Sequence, residues 1–72
     1  MTGAGLLRKL RRVGRLRGVE VRLVRERGKG SHSTLCFGHR LAVIPSLERE
    51  LKTGTLHGIL KQLGLGRDDL ER

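Results

Sequence analysis

The spacing of hydrophobic residues predicts a helix in the first part of the chain. Apolar side chains recur at the i, i+1, i+4, i+7 spacing of one helical face, at Leu6, Leu7, Leu10 and Val13. Thr2 is a residue type that caps the start of helices, and either Gly14 or Gly18 can end one. We therefore expect an amphipathic helix whose apolar side packs on the rest of the protein.

From Val19 onward the spacing changes to every second residue, which is typical of strands with one buried face. Val19, Val21 and Leu23 alternate with Glu20 and Arg22. After a glycine-bounded turn at residues 28–30, residues 31–37 alternate again. The two predicted sides of this second strand are Ser33, Leu35 and Phe37 against His32, Thr34 and Cys36.

A third strand is expected after the tight reversal that Gly38-His39 predicts. Residues 41–44 are all apolar, so we expect this strand to be largely buried, and Pro45 to end it.

Helical spacing returns after a polar connector. The apolar positions of this second helix are Leu56, Ile59, Leu60 and Leu63. Thr53 or Thr55 is expected as its cap, and Gly64 follows its end. Residues 67–72 can add a short terminal turn.

The order helix-strand-strand-strand-helix predicts a two-layer α+β fold. We expect a three-stranded antiparallel sheet with two helices on one face, made by residues 1–72 as one domain, because a chain this short seldom supports two cores. His32 would then lie on the uncovered face of the sheet.

Positive charge is concentrated in the first part of the chain. The net charge is +9, and residues 1–30 hold ten basic and two acidic side chains, a net charge of +8. Such a local excess favours a polyanionic partner, of which nucleic acid is the commonest. A purely solubilising surface is the alternative.

Cysteine content and hydropathy indicate the compartment. Cys36 is the only cysteine, which excludes an internal disulfide and a cysteine-based zinc site. No apolar run approaches the ~20 residues that span a bilayer. We expect a cytoplasmic protein that does not contact membranes.

His32 follows a glycine-bounded turn and is the candidate for chemistry. Exposed backbone N–H groups of the turn Gly28-Lys29-Gly30 could receive a phosphate together with the lysine. Cleavage of RNA needs no metal or cofactor, because the ribose 2′-OH is the nucleophile and only proton transfer and positive charge must be supplied. Histidine, with an ordinary pKa near 6.5, suits those proton transfers. The alternative is that His32 merely begins a strand.

His39 and His57 lack the paired spacing of metal ligands and are expected on the surface.

Two motifs in order resemble one known family. Gly30-Ser31-His32 in the hairpin is followed by residues 51–56, Leu-Lys-Thr-Gly-Thr-Leu, and by Ile59-Leu60-Lys61. With the element order and the length, they resemble the HicA family of toxin–antitoxin systems over residues 6–65. The resemblance implies a fold like double-stranded-RNA-binding domains, ribosome-independent cleavage of mRNA, a catalytic histidine at His32 with Gly30 beside it, and inhibition by a HicB antitoxin. After Pro45 the family often has a histidine, whereas this chain has Ser46 and Leu47.

The sequence thus yields a specific hypothesis for the site. His32 is expected as general base or acid, with Gly30 and Ser31 beside it. Candidate phosphate contacts are Lys29, Arg25, Arg27 and Arg40. No metal or cofactor is expected, and the expected partners are mRNA and an acidic antitoxin that covers His32. The alternative functions are a non-catalytic, basic RNA-binding module and a basic adaptor that binds an acidic protein.

Overall fold

The helices and strands follow the predicted order. A computed structural model describes residues 1–25 and 32–70. Within them the elements are α1 (Gly3–Arg17), β1 (Val21–Arg25), β2 (Ser33–Phe37), β3 (Arg40–Ile44), α2 (Thr53–Gln62) and the short α3 (Arg67–Leu70). The last of these corresponds to the predicted terminal turn.

Helix α1 begins and ends at residues with clear capping roles. The Thr2 hydroxyl accepts a hydrogen bond from the Gly5 N–H at 3.0 Å, as the sequence predicted. At the other end Gly18 adopts the left-handed conformation, with φ of 68°, and donates its N–H to the Gly14 carbonyl. Of the two glycines that could have ended the helix, Gly18 is therefore the one that does.

Gly14 has a different role, inside the helix. It is buried, and a Cβ added to it would lie 2.5 Å from the Val21 Cγ2 atom and 2.7 Å from the Val19 carbonyl oxygen. Any side chain at this position would therefore push α1 away from the start of β1. Gly14 allows the helix to lie close against the first strand.

The described strands form an antiparallel meander in the order β1-β2-β3. Val21 lies opposite Phe37 and Arg25 opposite Ser33, while Phe37 also pairs with Arg40 across the second hairpin. Gly38 has a φ of 63° at the first turn position, as a two-residue type II′ turn requires. The predicted tight reversal at Gly38-His39 is confirmed.

The core lies between one face of the sheet and the helices. Alternate residues of β2 are buried, Ser33, Leu35 and Phe37, so the side predicted for each residue of this strand is correct. The largest fully buried side chains are Leu6 and Leu10 of α1, Leu35 and Ile44 of the sheet, and Leu60 and Leu63 of the second helical region. This arrangement confirms the two-layer α+β fold.

The third strand differs from the expectation of a largely buried strand. Ala42 and Ile44 are buried, but Leu41 is 60% exposed and Val43 is 50% exposed. Successive side chains of a strand point to opposite faces, and among the described residues no element covers the second face. Of the four apolar residues 41–44, two side chains therefore lie in the core and two face solvent.

Helix α2 also begins differently from the prediction. Lys52 occupies the cap position without a side-chain hydrogen bond, and Thr53 is already the first helical residue. Neither Thr53 nor Thr55 caps the helix. Gly64 follows the helix with a φ of 74°, as predicted.

The connector between β3 and α2 is attached to the beginning of the chain. The Leu51 N–H donates to the Met1 carbonyl at 2.8 Å, and the Ala4 N–H donates to the Leu47 carbonyl at 2.9 Å. The N-terminal amino group also pairs with the Glu50 carboxylate. These contacts fix the start of α1 at the end of the sheet where β3 finishes.

Candidate functional site

His32 directly precedes β2 and is exposed. Continued by one residue, the alternation of β2 places it on the side of Thr34 and Cys36. This is the face of the sheet opposite the helices, which we call the open face and define by Arg22, Val24, Thr34, Cys36, Leu41 and Val43. The position is accessible from solvent.

Four of the residues expected near His32 lie outside the described part of the chain. They are Arg27, Lys29, Gly30 and Ser31. Their expected roles therefore stay predictions.

Arg25 lies at the same end of the sheet as His32. It is the last residue of β1 and pairs with Ser33, the residue that follows His32. By alternation it belongs to the helix-covered side, but its position at the strand end leaves it exposed. A long arginine side chain at this end could reach a phosphate that approaches His32.

Arg40 lies at the other end of the sheet, which corrects its expected place beside His32. It pairs with Phe37, five residues from His32 along β2 and thus about 17 Å away. Its guanidinium packs against α2's end, since a Cβ added to Gly64 would lie 3.0 Å from the Arg40 Cζ atom. The cause is the two-residue turn, which sets Arg40 opposite Phe37 and on the helix-covered side.

Around Arg40 there is a separate cleft of about 420 Å³ between the turn and the ends of α1 and α2. Arg17 and His39 also line it, over an apolar floor that includes Phe37. Arg17 already forms an ion pair with Asp69. This cleft is distant from His32 and is not part of the same site.

Arg22 is a cation that the sequence reasoning did not assign to the site. It lies on the open face, opposite Cys36, and is exposed. Its nearest carboxylate is that of Glu20 at 3.9 Å, an exposed pair that contributes little to stability. The alternation of Val21 and Leu23 with Arg22 in the sequence already predicts that Arg22 lies on the face opposite the helices.

The centre of the open face is apolar. Val24 and Val43 flank Thr34 in one row, and Leu41 lies beside Cys36 in the next. Val24, Leu41 and Val43 are each about half exposed. A small domain that exposes three neighbouring large apolar side chains on one surface has a candidate contact surface for another macromolecule.

The remaining histidines are on the surface, as expected. His39 is in the turn between β2 and β3, and His57 is on the outer side of α2. In residues 1–25 and 32–70, no three His, Cys, Asp or Glu side chains are grouped closely enough to hold a metal ion.

The two residues after Pro45 have structural roles. The Ser46 hydroxyl accepts hydrogen bonds from the N–H groups of Glu48 and Arg49, each at 3.2 Å. Leu47 is partly buried against the core. A histidine at either position would have to replace one of these functions.

Comparisons of the chain with protein-family models, with curated proteins and with solved structures find no match. The resemblance to HicA toxins, and the implied likeness to double-stranded-RNA-binding domains, therefore stay predictions from the sequence.

None of the helices in residues 1–25 and 32–70 is both long enough and apolar enough to cross a bilayer.

Proposed function

We propose that this protein is a metal-independent endoribonuclease of the HicA kind, the toxin of a toxin–antitoxin pair, acting on mRNA in the cytoplasm. The observation that carries the proposal is the place of His32. It is an exposed histidine directly before β2, on a chain of net charge +9. Because the 2′-OH of RNA is itself the nucleophile, an enzyme that cleaves RNA must supply proton transfer and positive charge around the phosphate.

The chemistry that fits this site is transesterification within RNA. The ribose 2′-oxygen attacks the adjacent phosphorus, and the bond from phosphorus to the 5′-oxygen of the next nucleotide breaks. His32 either takes the 2′-OH proton while water protonates the leaving 5′-oxygen, or gives a proton to the leaving 5′-oxygen while water accepts the 2′-OH proton. The products are a 2′,3′-cyclic phosphate and a free 5′-OH.

Positive charge around the phosphate would come from several basic residues. Arg25 at the same end of the sheet is the described residue best placed for this role. Arg27 and Lys29 belong to the proposal through the sequence alone, with Gly30 and Ser31 beside His32. Arg22 lies on the open face opposite Cys36, four residues from His32 along β2, so we propose it as a contact to the RNA backbone and not to the reacting phosphate.

The test is cleavage of a defined mRNA by the purified chain, with and without a metal chelator. We expect cleavage in both conditions and 5′-OH ends on the downstream fragments. RNA that binds but stays intact would favour the alternative, a non-catalytic RNA-binding module. Cleavage that stops on chelation would contradict the proposed chemistry.

An acidic antitoxin that covers His32 is the protein partner we propose. Support comes from the open face, where exposed apolar side chains lie between Arg22 and the end of the sheet next to His32. Charge complementarity accelerates association, and a stable interface buries about 800 Å² on each partner. Cleavage by the chain co-purified with the product of the adjacent gene tests this, because activity that persists in the saturated complex would exclude direct occlusion.

A further inference from the structure

The outer face of α1 holds a group of cations without acidic neighbours. Its exposed basic side chains are Arg8, Lys9, Arg11, Arg12 and Arg15, which we call the α1 basic face. No acidic residue precedes Glu20 in the sequence. Among the described residues none of these five forms an ion pair, whereas Arg17 on the same helix pairs with Asp69.

This charge distribution is unfavourable for an isolated helix. Like charges three or four residues apart on a helix repel, and each pair destabilises it by about 0.2–0.5 kcal/mol. Arg8 and Arg12 form such a pair, as do Arg11 and Arg15. A bound polyanion would relieve this repulsion, because it would supply the negative charges that the helix lacks.

Beside the α1 basic face the structure has a groove. It lies between α1 and the start of β1, has a volume of about 220 Å³, and is lined by Arg11, Arg15, Val19 and Val21. A water occupies about 30 Å³, so the groove has room for a phosphodiester group. It exists at this place because Gly14 lets α1 approach β1 closely.

The other wall of the groove belongs to an edge strand. Within the described sheet, β1 pairs only with β2, and the free side of an edge strand presents unpaired backbone N–H groups. Val19 already donates its N–H to the Gly14 carbonyl, so Val21 is the residue that brings the free edge of β1 beside Arg11 and Arg15. Such a combination of guanidinium groups and backbone donors recognises phosphate oxygens without reading bases.

We propose that this groove and the α1 basic face anchor the phosphate backbone of RNA, at a second site remote from His32. The choice of RNA as the ligand rests on the proposed function. Val21 lies opposite Phe37, about 17 Å along the sheet from His32, and α1 packs on the other face. The anchor therefore increases affinity for RNA and does not take part in the cleavage step.

Salt-dependent binding measures the anchor directly. The binding partner is a single-stranded RNA of about 20 nucleotides, and all proteins carry His32→Ala so that the RNA stays intact. Each phosphate contact contributes about 0.7 to the slope of log affinity against log salt. Replacing Arg11 and Arg15 by Gln is expected to reduce the slope by about 1.4 and the low-salt affinity by roughly tenfold.

A matched control removes the same charge elsewhere. The double variant Lys61→Gln with Arg67→Gln alters two exposed residues of α2 and α3. We expect it to retain most of the parent affinity and slope. Equal losses in both double variants would overturn the anchor, because net charge alone would then explain binding. Parent-like binding after the Arg11 and Arg15 changes would overturn it too.

Kinetics in the cleaving protein separates the anchor from the proposed function. With His32 restored, the Arg11 and Arg15 variant is expected to raise KM and leave kcat unchanged. A reduced kcat would contradict a site remote from chemistry. If the wild type binds RNA through these arginines and does not cleave it, the proposed function fails and the anchor stands. If the wild type cleaves RNA and the Arg11 and Arg15 variant binds RNA as tightly as the parent, the anchor fails and the proposed function stands. Thermal unfolding confirms the fold of each variant.

Discussion

The α1 basic face and the open face of the sheet lie on opposite sides of the same two-layer domain, and they differ in chemistry. The first carries five exposed cations and no titratable group near neutral pH. The second is apolar at its centre, with Val24, Leu41 and Val43 partly exposed, and the exposed His32 directly precedes its central strand. Charge alone can bind a polyanion, but proton transfer needs a group such as an imidazole. On the proposed function, this difference predicts that RNA binding and cleavage are separable.

The largest expected effect tests the open face. We predict that His32→Ala reduces the rate of RNA cleavage by about 10²–10⁴-fold, the usual contribution of a positioned acid or base. RNA affinity should change little, because the cations remain. Initial cleavage rates and a binding assay measure the two quantities on the same preparation.

The other histidines supply the matched controls. His39→Ala and His57→Ala remove exposed imidazoles from the turn and from α2. Both variants should cleave at the wild-type rate. A His32→Ala protein as active as these two would remove His32 from the mechanism and leave only the RNA-binding function.

The complementary change tests the α1 basic face. Replacing Arg8, Arg11, Arg12 and Arg15 together by Gln is expected to lower the salt slope of RNA binding by about 3 and to weaken binding about 100-fold at low salt. At saturating RNA the cleavage rate should stay near that of the wild type. An unchanged slope would mean that RNA binds elsewhere, and the contrast between the two faces would disappear.

A third prediction compares the two sides of one strand. Ile44 is fully buried and its neighbour Val43 is half exposed. Ile44→Ala should therefore lower the free energy of unfolding by about 2–5 kcal/mol, and Val43→Ala by less than about 1 kcal/mol. Denaturant titrations give both values. Equal losses would show that the open face is covered within the protein itself.

The smallest effects concern two glycines in helices. Gly14→Ala should destabilise the protein by about 1–3 kcal/mol, because the new Cβ would collide with the backbone of Val19. At Gly58 a Cβ meets nothing within 4 Å, so Gly58→Ala should stabilise by about 0.4–1 kcal/mol. Thermal unfolding distinguishes the opposite signs. A stabilised Gly14→Ala protein would show that α1 does not approach β1 closely.

The sequence predicts most of the fold because polar and apolar residues recur at spacings that are typical of helices and strands. In residues 33–37 the alternation assigns each side chain to a face, and the structure agrees. In residues 41–44 no polar residue marks the solvent side, so the strand was expected to be largely buried, which is wrong for Leu41 and Val43. Thr53 or Thr55 was predicted as the cap from its residue type, but both are inside the helix and Lys52 lies at the cap position.

The candidate site was predictable in part. The place of His32 directly before β2 follows from local spacing. The separation of Arg40 from His32 depends on strand register, which the two-residue turn sets. The groove beside α1 could not be predicted, because it depends on how closely two elements pack at Gly14. Distances between elements are not encoded in any local pattern.

The pairing of residues 47–51 with the start of α1 has a consequence for the order of folding. Each strand of the meander pairs with its neighbour in sequence, and such local contacts form quickly. Met1 and Leu51 are joined across about fifty residues, a contact whose loop-closure cost delays it. Helix α1 alone is short and self-repelling, so it is marginal in water. Helix α1 therefore gains stability from contacts with residues that lie far along the chain, among them Leu47 and Leu51.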